Sequence, residues 1–192
     1  MHIESHPEPT VPTDLRRQVY MLQNEAWPPT ADSVDSPADA QVHDPSLRPL
    51  SVLLIDDGTV VAALDILHKD LDRAGNTFRA GGLSTVVTRK DLRGHGYGLR
   101  LVTAARAAMT NVDLALFTCD RPLQPFYERA GFHLLPDTTL IGGTPDDPFP
   151  SDQPGFDKVT MAAFFTPAAQ QAAATFDNAR IALYPGRIDK LW

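Results

Sequence analysis

Arg93-Gly94-His95-Gly96-Tyr97-Gly98 carries the clearest chemical signal in this chain. A phosphate group needs several backbone N–H donors converging on it. Side chains at Gly94, Gly96 and Gly98 would block that approach. The residues that follow read as an amphipathic helix. Leu101, Val102, Ala105, Ala108 and Met109 share one face, with Arg100, Thr103 and Arg106 elsewhere. The loop therefore opens a helix, whose unpaired N–H groups and dipole favour an anion. Arg93 can add a charge-assisted bond. Arg93, Gly94, His95, Gly96, Tyr97 and Gly98 are the candidate pyrophosphate site, with His95 contributing backbone rather than ring.

Other glycine loops do not fit. The spacing is G-x-G-x-G, where the dinucleotide fingerprint needs G-x-G-x-x-G. Leu99-Arg100 stands where a P-loop needs Lys followed by Ser or Thr. The alternative is a glycine-rich turn that binds nothing.

The remaining reactive residues say less. Six histidines show no metal-ligand spacing, so no metal site is expected. His133 falls on a short strand as a structural residue, and nothing distinguishes His43. The single cysteine, Cys119, excludes an intramolecular disulfide. A free cysteine at a strand end is more often buried and inert than an acyl carrier.

These groups need a scaffold, and the chain is long enough to make one. With 192 residues and 43% hydrophobic content it reads as one globular unit spanning 1–192, with residues 1–12 flexible or extended. Thr13 or Asp14 can cap a helix running to about Trp27, which Pro28-Pro29 end. Residues 30–49 read as a loop. Leu50–Ile55 and Thr59–His68 are strands joined at Asp56-Asp57-Gly58. Residues 69–76 form a polar turn, and Phe78–Val87 is a third strand. A helix over 99–109 leads to a strand over Asp113–Cys119. A short helix over Pro122–Ala130 follows, with Gly131 ending it. Strands Phe132–Leu135 and Lys158–Phe165 flank a long Pro/Asp/Gly loop. Thr166-Pro167 starts an Ala-rich helix. The closing IALYPGRIDKLW is apolar enough to pack. This order predicts an α/β fold with a mixed sheet, its central parallel pair joined by the 99–109 helix.

Charge narrows the partners. Seventeen Lys and Arg against 24 Asp and Glu give −7, which disfavours non-specific nucleic-acid binding and favours cations as a class. No apolar run reaches membrane-spanning length, and MHIESHPEPTVP has no signal-peptide core. A cytoplasmic protein without membrane or nucleic-acid partners is expected.

The stretch 83–109, with VVTR before the glycine loop, resembles the GCN5-related N-acetyltransferase superfamily, whose donor is acetyl-CoA. Arg93, Gly96 and Gly98 fit its Arg/Gln-x-x-Gly-x-Gly/Ala pattern. FYERAGF resembles the segment after that family's fifth strand. The resemblance implies two splayed parallel strands, with the backbone of Val86, Val87 and Thr88 pairing with the pantetheine arm. It also implies that Tyr127 protonates the departing thiolate, a task that suits a phenol of pKa near 10.

A narrower resemblance, to the aminoglycoside 2'-N-acetyltransferases, rests on GNTFRAGGLSTVVTRKDLRG, RLV, FYERAGF, the PDD loop and the final Trp. It implies a homodimer and a cationic amine held by acids. The approximate positions are Asp35 and Asp39 in the first loop, Asp146, Asp147 or Asp152 in the later one, and Asp189 with Trp192. Each acid taken singly also reads as an ordinary solvated loop residue. Where that family carries a Glu to draw off the amine proton, this chain has Ser84, a hydroxyl too weak for the task. Ser84 can hold a water in a relay. Asp65, which interrupts the apolar run Val60–Leu67, is the other source of charge, unless it faces outward on a half-exposed sheet.

These readings together imply an acetyl-CoA-dependent transferase acting on a small polar amine by direct attack, with an aminoglycoside-like cation first. The alternatives are an unrelated metabolite or peptide amine, or an acyl-CoA-binding protein without turnover.

Overall fold

The computed structural model describes residues 1–28 and 42–192. Ten strands are present among them. The first five are β1 His2–Pro7, β2 Leu50–Asp56, β3 Thr59–Arg73, β4 Asn76–Thr88 and β5 Leu114–Asp120. The others are β6 His133–Leu135, β7 Thr139–Gly143, β8 Pro148–Pro150, β9 Lys158–Phe164 and β10 Arg180–Ala182. The helices are α1 Thr13–Ala26, α2 Tyr97–Ala108, α3 Gln124–Arg129 and α4 Pro167–Ala172. Seven strands form the main sheet in the order β1-β2-β3-β4-β5-β9-β6, and β10-β7-β8 form a second. Only β4–β5 is parallel in the main sheet, so the predicted mixed α/β architecture is what the chain adopts.

The central strands are apolar on both faces because both are covered. Val52 and Leu54 of β2 belong to a core that takes in Leu101, Val102 and Ala105 of α2. Leu53 and Ile55 pack the other way, with Leu15 and Leu22 of α1. The two-residue alternation of a strand delivers neighbouring side chains to opposite layers.

Several local expectations change. Residues 2–7, expected as flexible or extended, form an edge strand paired antiparallel with β2. Thr13 is the first residue of α1 rather than its cap. Pro12 holds the cap position, with no side-chain bond. The polar turn near residue 75 shrinks to Ala74-Gly75, because β3 runs on to Arg73. The long loop after β6 contains β7 and β8. Pro and Gly in so short a run hide a strand from any two-residue pattern.

Two features of β4 shape the functional region. Its pairing with β3 slips, so that Ala63 faces Val87 while Asp65 faces Ser84. This bulge puts Thr85 at φ +50°, a left-handed conformation costly for a β-branched residue. On its other edge β4 pairs with β5 only at Ala80–Leu114 and Gly81–Ala115. Arg79 and Asp113 clamp the closed end: the Asp113 N–H donates to Arg79 O at 2.8 Å, and Asp113 Oδ2 accepts from the Arg79 N–H at 2.8 Å. Beyond Gly81 the parallel strands diverge.

Candidate active site

The glycine loop stands at the open end of this split. Gly96 caps α2 at φ +82°, a backbone angle that penalises any residue with a Cβ. Among the described residues, the N–H groups of 94–99 donate to no protein acceptor, so the first turn of α2 opens with free donors. Arg93 is exposed, its Nε 3.3 Å from Thr88 O, and no acid pairs with it among the described residues. A groove of about 730 Å³ runs from this loop along β4 to α3. Val86, Val87, Thr88, Arg93, Gly94, Gly96, Tyr97 and Gly98 all line it. His95 does not: its Nδ1 lies 3.1 Å from Arg93 O and its ring stacks on Tyr97. Val87 turns its side chain into the α1 core, so what it can offer the groove is backbone.

A second groove, of about 520 Å³, occupies the other side of the split. Ser84, Asp189 and Trp192 line it, together with Phe149 and Phe156. The two grooves share Trp27, Val86, Asp120, Leu123 and Tyr127. A molecule in one therefore meets a molecule in the other beside Val86 and Tyr127.

Tyr127 is 5% exposed, edge-on to the rings of Phe117 and Phe126. Burial raises its pKa above the ordinary phenol value, and Cys119 and Asp120 push the same way. A phenol held neutral can donate a proton but cannot serve as a base near pH 7. Cys119 also lines the second groove, yet burial, reinforced by Asp120, pushes its thiol up to about 12. It holds no useful fraction of thiolate for an acyl intermediate.

The segment after β10 builds one wall of the second groove. The Gly143 N–H donates to Lys190 O at 2.7 Å, and a side chain at Gly142 would collide with that carbonyl. Trp192 O then accepts from both Thr118 N (2.9 Å) and Thr118 Oγ1 (3.1 Å) on β5. The Trp192 indole is 3% exposed and lies against Gly82, just past the point where β4 and β5 part.

The acids implied for the acceptor divide. Asp189 lines the groove. Asp35 and Asp39 lie outside the described residues. Asp152 does not line it; it pairs with Arg180 at 2.6 Å beside the second sheet. Asp147 does not line it either. It sits in the exposed β7–β8 turn, where its carbonyl and N–H bond to Thr144. The hairpin that carries it offers Phe149 instead.

Asp65 is 5% exposed, which removes the outward-facing reading, but it does not line the acceptor groove either. Its Oδ1 accepts from Ser51 Oγ (2.5 Å), and its Oδ2 accepts from Thr85 Oγ1 (2.6 Å) and lies 3.2 Å from His43 Nε2. The other ring nitrogen, Nδ1, donates to Asp189 Oδ1 at 2.5 Å. Two functional candidates were missed in the sequence: His43, and Asp120, which lines both grooves and pairs with Lys158 at 2.7 Å. The one available signal for His43 was Asp65, since a carboxylate inside an apolar strand requires a partner.

Among the described residues no three His, Cys, Asp or Glu are arranged to hold a metal, and no helix is long and apolar enough to cross a membrane.

Comparison with known proteins identifies the family and the fold. Residues 16–132 match the model of the Acetyltransferase (GNAT) family. No curated protein matches significantly. Among solved structures, ElaA of Escherichia coli superposes with a TM-score of 0.57 at 15% identity, over 84% of this chain and 97% of that one. An aminoglycoside 6'-N-acetyltransferase complexed with coenzyme A gives 0.56 at 15% identity, over 87% and 98%. A GNAT family acetyltransferase from Brucella melitensis in complex with acetyl-CoA gives 0.51 at 16%, over 86% and 90%. At these identities the likeness is one of fold.

Proposed function

The chain belongs to the GNAT family of N-acetyltransferases, and from that premise we propose that it moves the acetyl group of acetyl-CoA onto a small cationic amine. One observation carries the reading: among the described residues, the groove along β4 and the groove beside Asp189 share Val86 and Tyr127, with Trp27, Asp120 and Leu123. The pyrophosphate sits on the free N–H groups of 94–99, and the pantetheine arm runs along the unpaired edge of β4 at Val86, Val87 and Thr88. The amine enters from the Asp189 side. A relative bound to acetyl-CoA and another bound to coenzyme A share the fold, which supports the choice of donor.

The reaction is direct transfer. The ammonium gives up a proton to groove water, with Ser84 holding that water. The amine nitrogen attacks the thioester carbon while a backbone N–H near Val87 polarises the carbonyl. The C–S bond breaks, the thiolate takes its proton from Tyr127, and the attacking nitrogen's second proton passes through groove water to restore the phenol, leaving the amide and free CoA thiol. Holding both substrates side by side contributes through proximity.

Aminoglycosides with a 2'-amine are the first acceptors to test, with Asp189 and Trp192 as the supporting positions. A second reading, an amine with an apolar body, is favoured by the groove's rim. Trp27, Leu123, Phe156 and Ile188 are all exposed there, an unusual concentration for a solvated surface. The deciding experiment is steady-state release of free CoA thiol from acetyl-CoA. Acceptors would be aminoglycosides with and without a 2'-amine, polyamines, amino acids and arylalkylamines. Turnover confined to one class selects between the readings, and no turnover on any amine would overturn the proposal.

A further inference from the structure

A charged chain of three side chains crosses from the middle of β3 to the acceptor groove. His43 is 3% exposed, and each of its ring nitrogens faces a carboxylate, Asp65 on one side and Asp189 on the other. Asp189 is held a second way, its Oδ2 accepting from the Asp44 N–H at 2.9 Å. Asp65 in turn is the acceptor for Thr85 Oγ1, at the left-handed bulge residue next to Val86. Glu8, beyond β1, faces the small cavity that Asp65 lines, its Oε1 accepting from Val42 N, and Arg16 of α1 lines the same cavity.

Burial of this depth is costly for any one of these charges alone. Paired, the ring is held by a hydrogen bond at Nδ1 and by ion-pair contact with Asp65 at Nε2, and Asp189 is fixed at both oxygens. The strained φ of Thr85 is likewise tied down by its bond to Asp65. Burial alone would lower the pKa of His43, but its bonds to Asp189 and Asp65 outweigh that and raise it to about 10. The imidazole is therefore already protonated near pH 7. It cannot be the base that takes the amine's proton.

We propose that His43 is a positioning residue. It presents Asp189 as a fixed carboxylate to the incoming ammonium, and through Asp65 and Thr85 it locks that anchor to the β4 bulge carrying Val86. The inference rests on the acetyltransferase reading of the two grooves. Asp189 binds and orients the amine, and His43 acts only through it. Donor affinity rests chiefly on the loop at 94–99, which lies outside this array; the array reaches the donor side only through the bulge beside Val86.

The test uses the whole protein with the best acceptor from the thiol-release panel. His43→Ala and His43→Gln are compared with wild type for amine KM, for kcat and for acetyl-CoA affinity by calorimetric titration. The expected result for His43→Ala is an amine KM raised tenfold or more, a smaller change in kcat, and acetyl-CoA affinity within about twofold. His43→Gln, which keeps a hydrogen bond without the charge, falls between. The ring is read separately in wild type by NMR, where its resonances should stay those of imidazolium through pH 8. An unchanged amine KM in both variants, or a ring that titrates near 6.5, overturns the positioning role while leaving the transferase reading intact. Wild type that turns over no amine overturns both. If His43→Ala does not fold, the Gln variant and the wild-type NMR decide.

Discussion

The Trp192 indole takes the space that a side chain at residue 82 would need: a Cβ built on Gly82 falls 2.5 Å from Trp192 Nε1. The tail therefore fills the narrow end of the split between β4 and β5, just beyond the last pair Gly81–Ala115. Gly82→Val is expected to expel the indole and cost about 1–3 kcal/mol of stability, as overpacking in a core does. Urea unfolding measures the loss. Amine KM should rise while acetyl-CoA affinity changes little; an unchanged midpoint and KM would mean the tail is not seated there.

Gly96→Trp tests the donor loop. The position has φ +82° and lines the β4 groove beside the free N–H groups of α2. Acetyl-CoA affinity is expected to fall at least tenfold by calorimetric titration. Retained affinity would remove the pyrophosphate from this loop.

Tyr127→Phe removes the one phenol that lines both grooves among the described residues; the other shared positions are Trp27, Val86, Asp120 and Leu123. A general acid contributes about 10²–10⁴-fold, so kcat should drop by that order with both KM values little changed. Because the phenol's pKa is raised, the acid form persists past pH 10. No basic limb below about pH 10 in wild-type kcat should belong to it. Unchanged kcat in the Phe variant would dismiss Tyr127 as the acid.

Stability should depend on pH through His43. Its folded pKa of about 10 exceeds the unfolded value near 6.5. The folded state therefore binds this proton more tightly. The stabilisation is complete below about pH 6.5 and fades as pH rises toward 10. Urea midpoints are expected to fall between pH 7 and 9.5 in wild type and to vary less in His43→Gln. Equal slopes in the two proteins would break the linkage.

Cys119 should be chemically silent. With its thiol near 12 and the side chain buried, iodoacetamide at pH 8 is expected to label it only after unfolding. Cys119→Ala should keep most of wild-type kcat, whereas abolished turnover would revive a covalent intermediate.

What the sequence alone determined is what lies close along the chain. The candidate pyrophosphate loop, its helix and the end of the strand before it fit within 27 residues, 83–109. Their physics is local: glycines where donors must converge, a helix N-terminus behind them, an apolar strand in front. The strand hairpin at Asp57-Gly58 and the acidic break at Asp65 were legible for the same reason. Tertiary structure decided the acceptor half. His43, Asp65 and Asp189 come from a loop, a strand and the tail, and no periodicity links them; only the sheet brings their charges within bonding distance. Asp147 and Asp152 sit in similarly acidic sequence yet end up in a turn and against Arg180. A carboxylate carries no mark in sequence of which cation or groove it will meet. That depends on where the chain's distant segments pack, and here it depends on a tail admitted by Gly82 and Gly142 into the gap between two diverging strands.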